Sequence, residues 1–111
     1  MRVVVLADEL ARAEPLGTEM RHRRVASAET YETGVIRFDP RPEVDPKQIV
    51  HADRDVLCVV LSGAGRVRSG GAETPLHPGL LCHIPAGTPH DFAATTEPLS
   101  LFYCLIRTGA A

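Results

Sequence analysis

The stretch that decides the fold of this chain is Gly79-Leu-Leu-Cys-His-Ile-Pro-Ala-Gly-Thr-Pro-His90. It begins as a short apolar strand and ends at Pro85-Ala86-Gly87. This sequence predicts a tight turn, because proline holds φ at about −65° and glycine accepts a positive φ. His90 follows the turn directly and starts the next strand. A histidine placed with so little freedom indicates a ligand or metal site.

The spacing within this stretch resembles the second signature of the cupin superfamily. That signature contains a glycine, a proline, a second glycine and a metal-binding histidine at fixed intervals, and Gly79, Pro85, Gly87 and His90 fill all four positions. The family's final asparagine is replaced here by Ala94. The resemblance implies an all-β fold, a jelly-roll barrel of the double-stranded β-helix type.

Strand signals elsewhere in the chain predict the same fold class. Nine glycines and nine prolines divide the sequence into short segments, and from about residue 31 onward these segments are rich in alternating and β-branched residues. Both faces of the last segment are apolar, so both should be buried. We expect strands at residues 33–38, 56–62, 66–68, 80–84 and 99–107, and a proline-rich loop at residues 39–46 at the rim of the barrel.

The N-terminal part predicts an extension to the barrel. Residues 2–6 form an apolar run typical of a strand that is covered on both faces, and residues 8–14 predict a short helical turn with Asp8 as its cap. The basic cluster at residues 21–24 predicts a solvated strand edge. We expect a single domain over residues 1–111, with its core at 31–106. The doubly apolar segments predict a homodimer.

Composition excludes several classes of partner. The 111 residues carry a formal net charge of −2 and no tryptophan, which argues against a nucleic-acid partner. No apolar run approaches the roughly 20 residues of a membrane helix, which argues against a membrane partner. Cys58, Cys82 and Cys104 are odd in number and lie in apolar runs, so we expect reduced thiols in a cytoplasmic protein.

The first cupin signature is altered in this chain. With Gly63 as the closing glycine, His51 occupies the position of the second histidine. Ile49 occupies the position of the first histidine, and Val56 that of the glutamate. The resemblance therefore implies a site at His51 and His90, which would serve both as catalytic residues and as ligands of one divalent metal (iron, manganese, nickel or zinc). Whether a metal is bound stays open, because two of the four ligand positions are aliphatic.

Five further residues are candidates for lining the pocket: Val56, Cys58, His83, Arg37 and Tyr103. Cys58 shares the parity of Val56, and an apolar setting favours a packed thiol over a reactive one. His83 lines the pocket if it points inward. Arg37 is expected in solvent, but facing inward it could clamp a carboxylate. Tyr103 is expected in the core, with a hydroxyl that could donate to a bound molecule.

Two hypotheses of different classes follow. The first is a metal-assisted enzyme of the isomerase, cyclase, decarboxylase (lyase) or dioxygenase type. In a metal-free variant of it, one histidine acts as general acid or base. The second is a non-catalytic, metal-free module that binds or senses a small molecule. Both place a small organic ligand or substrate in the barrel lumen.

Overall fold

A computed structural model of the chain describes residues 1–41 and 48–108. These residues form one short helix followed by nine strands that make two antiparallel sheets. No helix among them is long and apolar enough to cross a membrane. The elements are α1 (Leu6–Ala11), β1 (Glu14–Leu16), β2 (Met20–Ser27), β3 (Tyr31–Phe38), β4 (Arg54–Ser62), β5 (Gly65–Ser69), β6 (Ala72–Leu76), β7 (Leu81–Ile84), β8 (Asp91–Ala94) and β9 (Leu99–Arg107).

The larger sheet has the order β1-β2-β3-β9-β4-β7, and the smaller sheet has the order β6-β5-β8. The predicted all-β class is confirmed. The strands expected at 33–38, 56–62, 80–84 and 99–107 correspond to β3, β4, β7 and β9, with bounds that differ by two residues at most. Most of the proline-rich loop expected at 39–46 lies outside the described residues.

The crossing from one sheet to the other depends on Gly63. This residue follows β4 with φ of 88°, and a Cβ placed on it would lie 1.7 Å from the carbonyl oxygen of Pro98. No side chain fits there, and L residues rarely adopt this conformation. The glycine therefore lets the chain turn sharply from β4 in the larger sheet to β5 in the smaller one.

The core lies between the inner faces of the two sheets. Strand parity places every second residue of β3, β4 and β9 on this face. The fully buried side chains include Leu99 and Leu101 of β9 and Val60 of β4. The buried cluster as a whole consists of Val56, Cys58, Val60, Leu76, Ile84, Ala94, Leu99, Leu101 and Tyr103.

The strand predicted at residues 2–6 is wrong. Residues 1–5 lie outside any strand, and α1 begins at Leu6 with Val5 at its N-cap and no side-chain cap. The helix is held by a tertiary contact that the local pattern does not reveal: the buried Glu9 accepts a hydrogen bond from Arg23 of β2. This bond and the charge of Arg23 lower the pKa of Glu9.

The basic cluster at residues 21–24 lies only partly at a sheet edge: within the described residues, β1 pairs with β2 as far as His22, whereas Arg23 and Arg24 pair with β3 alone. Arg21 and Arg24 remain exposed, whereas Arg23 is held by α1 and His22 faces the interior of the barrel. The cluster therefore joins the helix to the sheet and also supplies one residue to the interior.

The outer face of β9 is less covered than its apolar sequence predicts. On the inner face Leu99, Leu101 and Tyr103 are buried. On the outer face Phe102, Cys104 and Ile106 are only half-buried. Leu81 on the neighbouring edge strand β7 is 64% exposed. One copy of the chain therefore covers the outer face of β9 only in part, and its full burial stays a prediction.

Candidate functional site

The turn before His90 is built as the sequence predicts. Gly87 has φ of 82°. The carboxylate of Asp55, on β4, accepts a hydrogen bond from the backbone N–H of Ala86 at 2.8 Å, and the N–H of Gly87 donates to the carbonyl of His51 at 2.8 Å. The turn is therefore attached to the segment that carries the other predicted histidine.

A second backbone connection joins the altered first signature to the intact second signature. Ile49 and His90 form an isolated antiparallel bridge, in which each N–H donates to the other residue's carbonyl at 2.7 and 2.9 Å. Ile49 is the position that the resemblance assigns to the first histidine, and its side chain is 54% exposed. The backbone arrangement around the site is formed even though this position carries no ligand side chain.

The structure brings the two predicted histidines together. The ring centroids of His51 and His90 are 5.5 Å apart, and the ring planes are tilted by 31°. The edge of His90 also contacts Phe92, with centroids 6.0 Å apart, and Phe92 stacks on Phe38. One side of the histidine pair is thus an aromatic wall.

His90 is held in one orientation and one tautomer. It is buried, and its Nδ1 lies 3.0 Å from the carbonyl oxygen of Thr88. Because a carbonyl can only accept, Nδ1 carries the proton and donates. In the neutral ring, Nε2 is then left with a free lone pair, which can accept a hydrogen bond, take a proton or bind a metal.

His51 is more exposed and its protonation is disfavoured. Burial lowers its pKa from 6.5, and the neighbouring His90 and Arg54 lower it further, whereas Asp53 and Glu32 act in the opposite direction. His51 is therefore neutral at pH 7 and can accept a proton or a hydrogen bond.

A second polar cluster lies on the inner face of the larger sheet. The phenol of Tyr103 donates to the carboxylate of Glu32 at 2.8 Å, and its oxygen lies within hydrogen-bond distance of Nε2 of His22. Since the single phenol proton goes to the carboxylate, His22 donates to the phenol oxygen. Burial, followed by the contact with Glu32, raises the pKa of Tyr103, so the phenol stays protonated.

Gly34 makes this cluster possible. It lies between Arg24 and Tyr103 in the strand register, and a Cβ on it would lie 2.8 Å from the Tyr103 hydroxyl. The ring therefore passes over β3 to reach β2. The sequence analysis proposed Tyr103 as a donor but missed His22 and Glu32. Only the alternation of residues along β2 and β3 could have indicated them.

Val56 and Cys58 face inward, as their shared parity predicts, but they belong to the packed core. Both are at most 4% exposed. Burial raises the pKa of the Cys58 thiol to about 12, so the thiol stays protonated at neutral pH. Such a thiol is a poor nucleophile and a poor metal ligand.

Arg37 and His83 do not line the site. Arg37 is exposed on the outer face of β3, where it pairs with Asp39 at 3.0 Å. His83 is also exposed, and its Nε2 lies 3.5 Å from Asp55. The physical reason is parity: His83 is the register partner of Leu57, whose neighbours Val56 and Cys58 face inward. Arg37 therefore faces solvent as expected, and His83 takes the outward one of the two orientations that the sequence left open, so neither of these candidates lines the pocket.

The donor set at the histidine pair is incomplete for a typical metal centre. Within the described ranges, no group of three His, Cys, Asp or Glu side chains is placed to hold a metal ion. Catalytic metal sites usually have three protein ligands and an open position. Two imidazoles alone do not fit that pattern, since the position of the family's glutamate is occupied by the buried Val56.

Comparison with known proteins agrees with this architecture. The Thermus thermophilus protein TT1209 has 28% identity and a TM-score of 0.80, and the match covers 96% of this chain and 98% of that chain. A predicted oxalate decarboxylase from Thermotoga maritima has 19% identity and a TM-score of 0.80, covering 96% and 99% of the two chains. A cupin-2 domain protein from Shewanella frigidimarina has 20% identity and a TM-score of 0.74, covering 95% of both.

No curated protein sequence matches the chain significantly. The family model for the Cupin domain matches residues 34–105, which include most of β3, both signatures and most of β9. The predicted cupin-type jelly roll is confirmed by this match and by the similar structures. From the fold, the turn at Pro85 and the family model together, the chain belongs to the Cupin domain family.

Proposed function

We propose that the protein binds a small organic molecule inside the barrel, around His51 and His90. The observation that carries this proposal is the pair of imidazoles held 5.5 Å apart. His90 is fixed by Thr88 and offers its Nε2, and the neighbouring His51 is only half-buried. Two adjacent hydrogen-bond acceptors favour a ligand with hydroxyl or other donor groups.

The same groups support proton transfer without a metal. The neutral imidazole of His51, whose pKa is lowered by burial, can take a proton from a bound substrate at neutral pH. The phenol of Tyr103 also stays protonated, but its proton is donated to Glu32, so the proton acceptors of the site are the two imidazoles. The reaction class that this arrangement supports best is isomerisation, cyclisation or decarboxylation of a small oxygenated molecule. Without turnover, the same site is a binding or sensing module.

A metal held by His51 and His90 is the second candidate. It is favoured by the hydrogen bond from Nδ1 of His90 to Thr88, because histidine ligands usually donate their second ring nitrogen in this way. Water or the bound molecule would supply the other ligands. When bound, a divalent metal would polarise an oxygen of the ligand.

Binding at the histidine pair can be tested by NMR. Imidazole signals of the full chain are followed while glycolate, which carries a hydroxyl donor, pyruvate, its uncharged amide pyruvamide, or oxalate is added. We expect saturable shifts at His51 and His90 with at least one of these probes, and no saturable shift at the exposed His83. Binding should be lost in His90→Ala and retained in His83→Ala. Absence of any saturable shift at both rings would contradict the proposal.

Elemental analysis of tag-free protein separates the two candidates. Iron, manganese, nickel or zinc close to one equivalent, lost in His51→Ala but kept in His83→Ala, would establish the metal site. Metal contents below about a tenth of an equivalent after incubation with each ion and desalting would favour the metal-free site. Enzymatic turnover that continues after a chelator has removed metal ions would also favour the metal-free site.

We also propose that a second copy of the chain covers the outer face of β9 and β7. The exposed Leu81 lies on an edge strand of the larger sheet, next to the half-buried outer face of β9. A free edge beside an apolar face allows two identical surfaces to pair about a twofold axis. Light scattering at micromolar concentration should give the mass of a dimer, and Leu81→Glu should reduce it. A monomeric mass for the unaltered chain would contradict this.

A further inference from the structure

A cavity of about 200 Å³ opens at one end of the larger sheet, outside the histidine pair. It lies where the turn between β2 and β3 meets the start of β4 and the end of β9. The charged side chains around it are those of Arg24, Glu29, Glu32, Arg54 and Arg107. Ser27 and Thr30 add hydroxyl groups.

Two of these arginines lie side by side on neighbouring strands, and neither forms a salt bridge within the described residues. Arg54 and Arg107 are register partners on β4 and β9. Like charges directly opposite one another on neighbouring strands destabilise a sheet. Within residues 1–41 and 48–108, Arg24 pairs with Glu32 at 3.5 Å, but no carboxylate lies within 4.0 Å of either Arg54 or Arg107.

We propose that this cavity binds the carboxylate of a small organic acid, held by Arg54 and Arg107. The inference deepens the proposed function and rests on it, because the acid is taken to be the molecule that also reaches His51. Arg54 connects the two places along the chain: it lines the cavity, and it begins β4 directly after the short segment that carries His51.

The chemistry of the cavity suits a carboxylate. A guanidinium group presents paired donors in a plane that matches two carboxylate oxygens. Three guanidinium groups and two carboxylates line the cavity, so the lining carries one net positive charge. One excess charge suits a monoanion better than the doubly charged form of phosphate.

The two arginines of the cavity differ in position from Arg37, the arginine that the sequence suggested as a carboxylate clamp. Arg37 already has a partner in Asp39 on the outer face and is therefore neutralised locally. The arginines of the cavity lie at the inner face of β4 and β9, in register with each other. Arg37 is thus a matched control, with the same side chain on the same sheet but away from the cavity.

The test compares pyruvate with pyruvamide, which has nearly the same shape and no charge. Affinities are measured by calorimetry for the full chain, Arg54→Gln, Arg107→Gln and the control Arg37→Gln. We expect pyruvate to bind at least roughly tenfold more tightly than pyruvamide, and each cavity variant to remove most of that difference. The control should leave it unchanged. Equal affinity for the two probes, or unchanged pyruvate binding in both cavity variants, would overturn the inference.

Two further measurements complete the test. Because Arg54→Gln and Arg107→Gln remove a repulsion, the melting temperature of each variant should equal or exceed that of the unaltered chain, which separates lost binding from lost folding. Inorganic phosphate should compete more weakly than pyruvate. Tighter binding of phosphate would overturn the assignment to a carboxylate.

The outcomes also separate this inference from the proposed function. If both probes shift His51 and His90 equally and the arginine variants bind as well as the unaltered chain, the anion site is wrong and the histidine site stands. If pyruvate binding depends on the arginines while neither imidazole responds, the anion site stands and the proposed function is wrong.

Discussion

The two ends of the larger sheet's inner face differ sharply, although the same strands build both. Along β9, Leu99 and Leu101 are fully buried at one end, whereas Arg107 is exposed at the other. β4 shows the same change from Val60 to Arg54. Strand parity places all of these residues on one face, but position along the strand decides whether that face meets the second sheet or water. One end supplies stability, and the other supplies the charged groups of the proposed anion site.

The comparison also explains why the polar end can exist. Burying an apolar side chain contributes about 1.5–3 kcal/mol, while a buried polar group without a partner costs a similar amount. Tyr103 lies between the two ends, and its hydroxyl is matched by both Glu32 and His22. The burial of the Tyr103 hydroxyl is therefore offset by its two hydrogen bonds, while the apolar end supplies the free energy of burial.

The largest effect is expected at the apolar end. Leu101 is 1% exposed, so Leu101→Ala should lower the free energy of unfolding by about 2–5 kcal/mol through lost burial and a residual cavity. Urea denaturation measures this. Leu16→Ala, at a half-exposed position of β1, should change it by at most about 0.5 kcal/mol. Similar losses in the two variants would contradict the division between the ends.

At the boundary between the ends, Gly34→Ala should cost about 1–3 kcal/mol by overpacking. The added methyl group would lie 2.8 Å from the Tyr103 hydroxyl and 2.4 Å from the carbonyl oxygen of Arg23. Gly71→Ala is the control, because nothing lies within 4 Å of its Cβ position. Denaturation midpoints compare the two, and equal midpoints would show that the ring of Tyr103 has room to move.

A smaller effect is expected from Tyr103→Phe, which removes only the hydroxyl. Glu32 and His22 would lose their shared partner, so we expect a loss of about 1 kcal/mol. Tyr31→Phe, at an exposed position on the same sheet, should have little effect. A stability unchanged by Tyr103→Phe would indicate that water replaces the hydroxyl at no cost.

The smallest effect is a dependence on pH from His51. Its pKa in the folded chain lies below 6.5, so the unfolded chain binds more protons as the pH falls through 6.5. The contribution of His51 to the free energy of unfolding is fully present above pH 6.5 and declines below it. It levels off at a pH below the pKa that His51 has in the folded chain. His51→Asn should flatten this part of the pH profile, whereas His77→Asn should not. A profile that keeps its slope in His51→Asn would assign the slope to other groups.

Much of the fold could be predicted from local sequence. The turn at residues 85–87 and the apolar alternation of β4 and β9 depend on neighbouring residues, so their patterns predict them directly. The strand expected at residues 2–6 failed because α1 is stabilised by Glu9 and Arg23, which are far apart in the sequence. Sequence patterns contain no direct signal for such a pair.

The site divides in the same way. By itself, the sequence determined the barrel, the placement of His90 after its turn, and the loss of two ligand positions at Ile49 and Val56, since each depends on residue type and spacing. Only the tertiary structure decided that Arg37 and His83 face outward, that His22 and Glu32 hold Tyr103, and that Arg54 and Arg107 meet. Those contacts join strands paired across the sheet, so they depend on strand register, which one strand's sequence cannot specify alone.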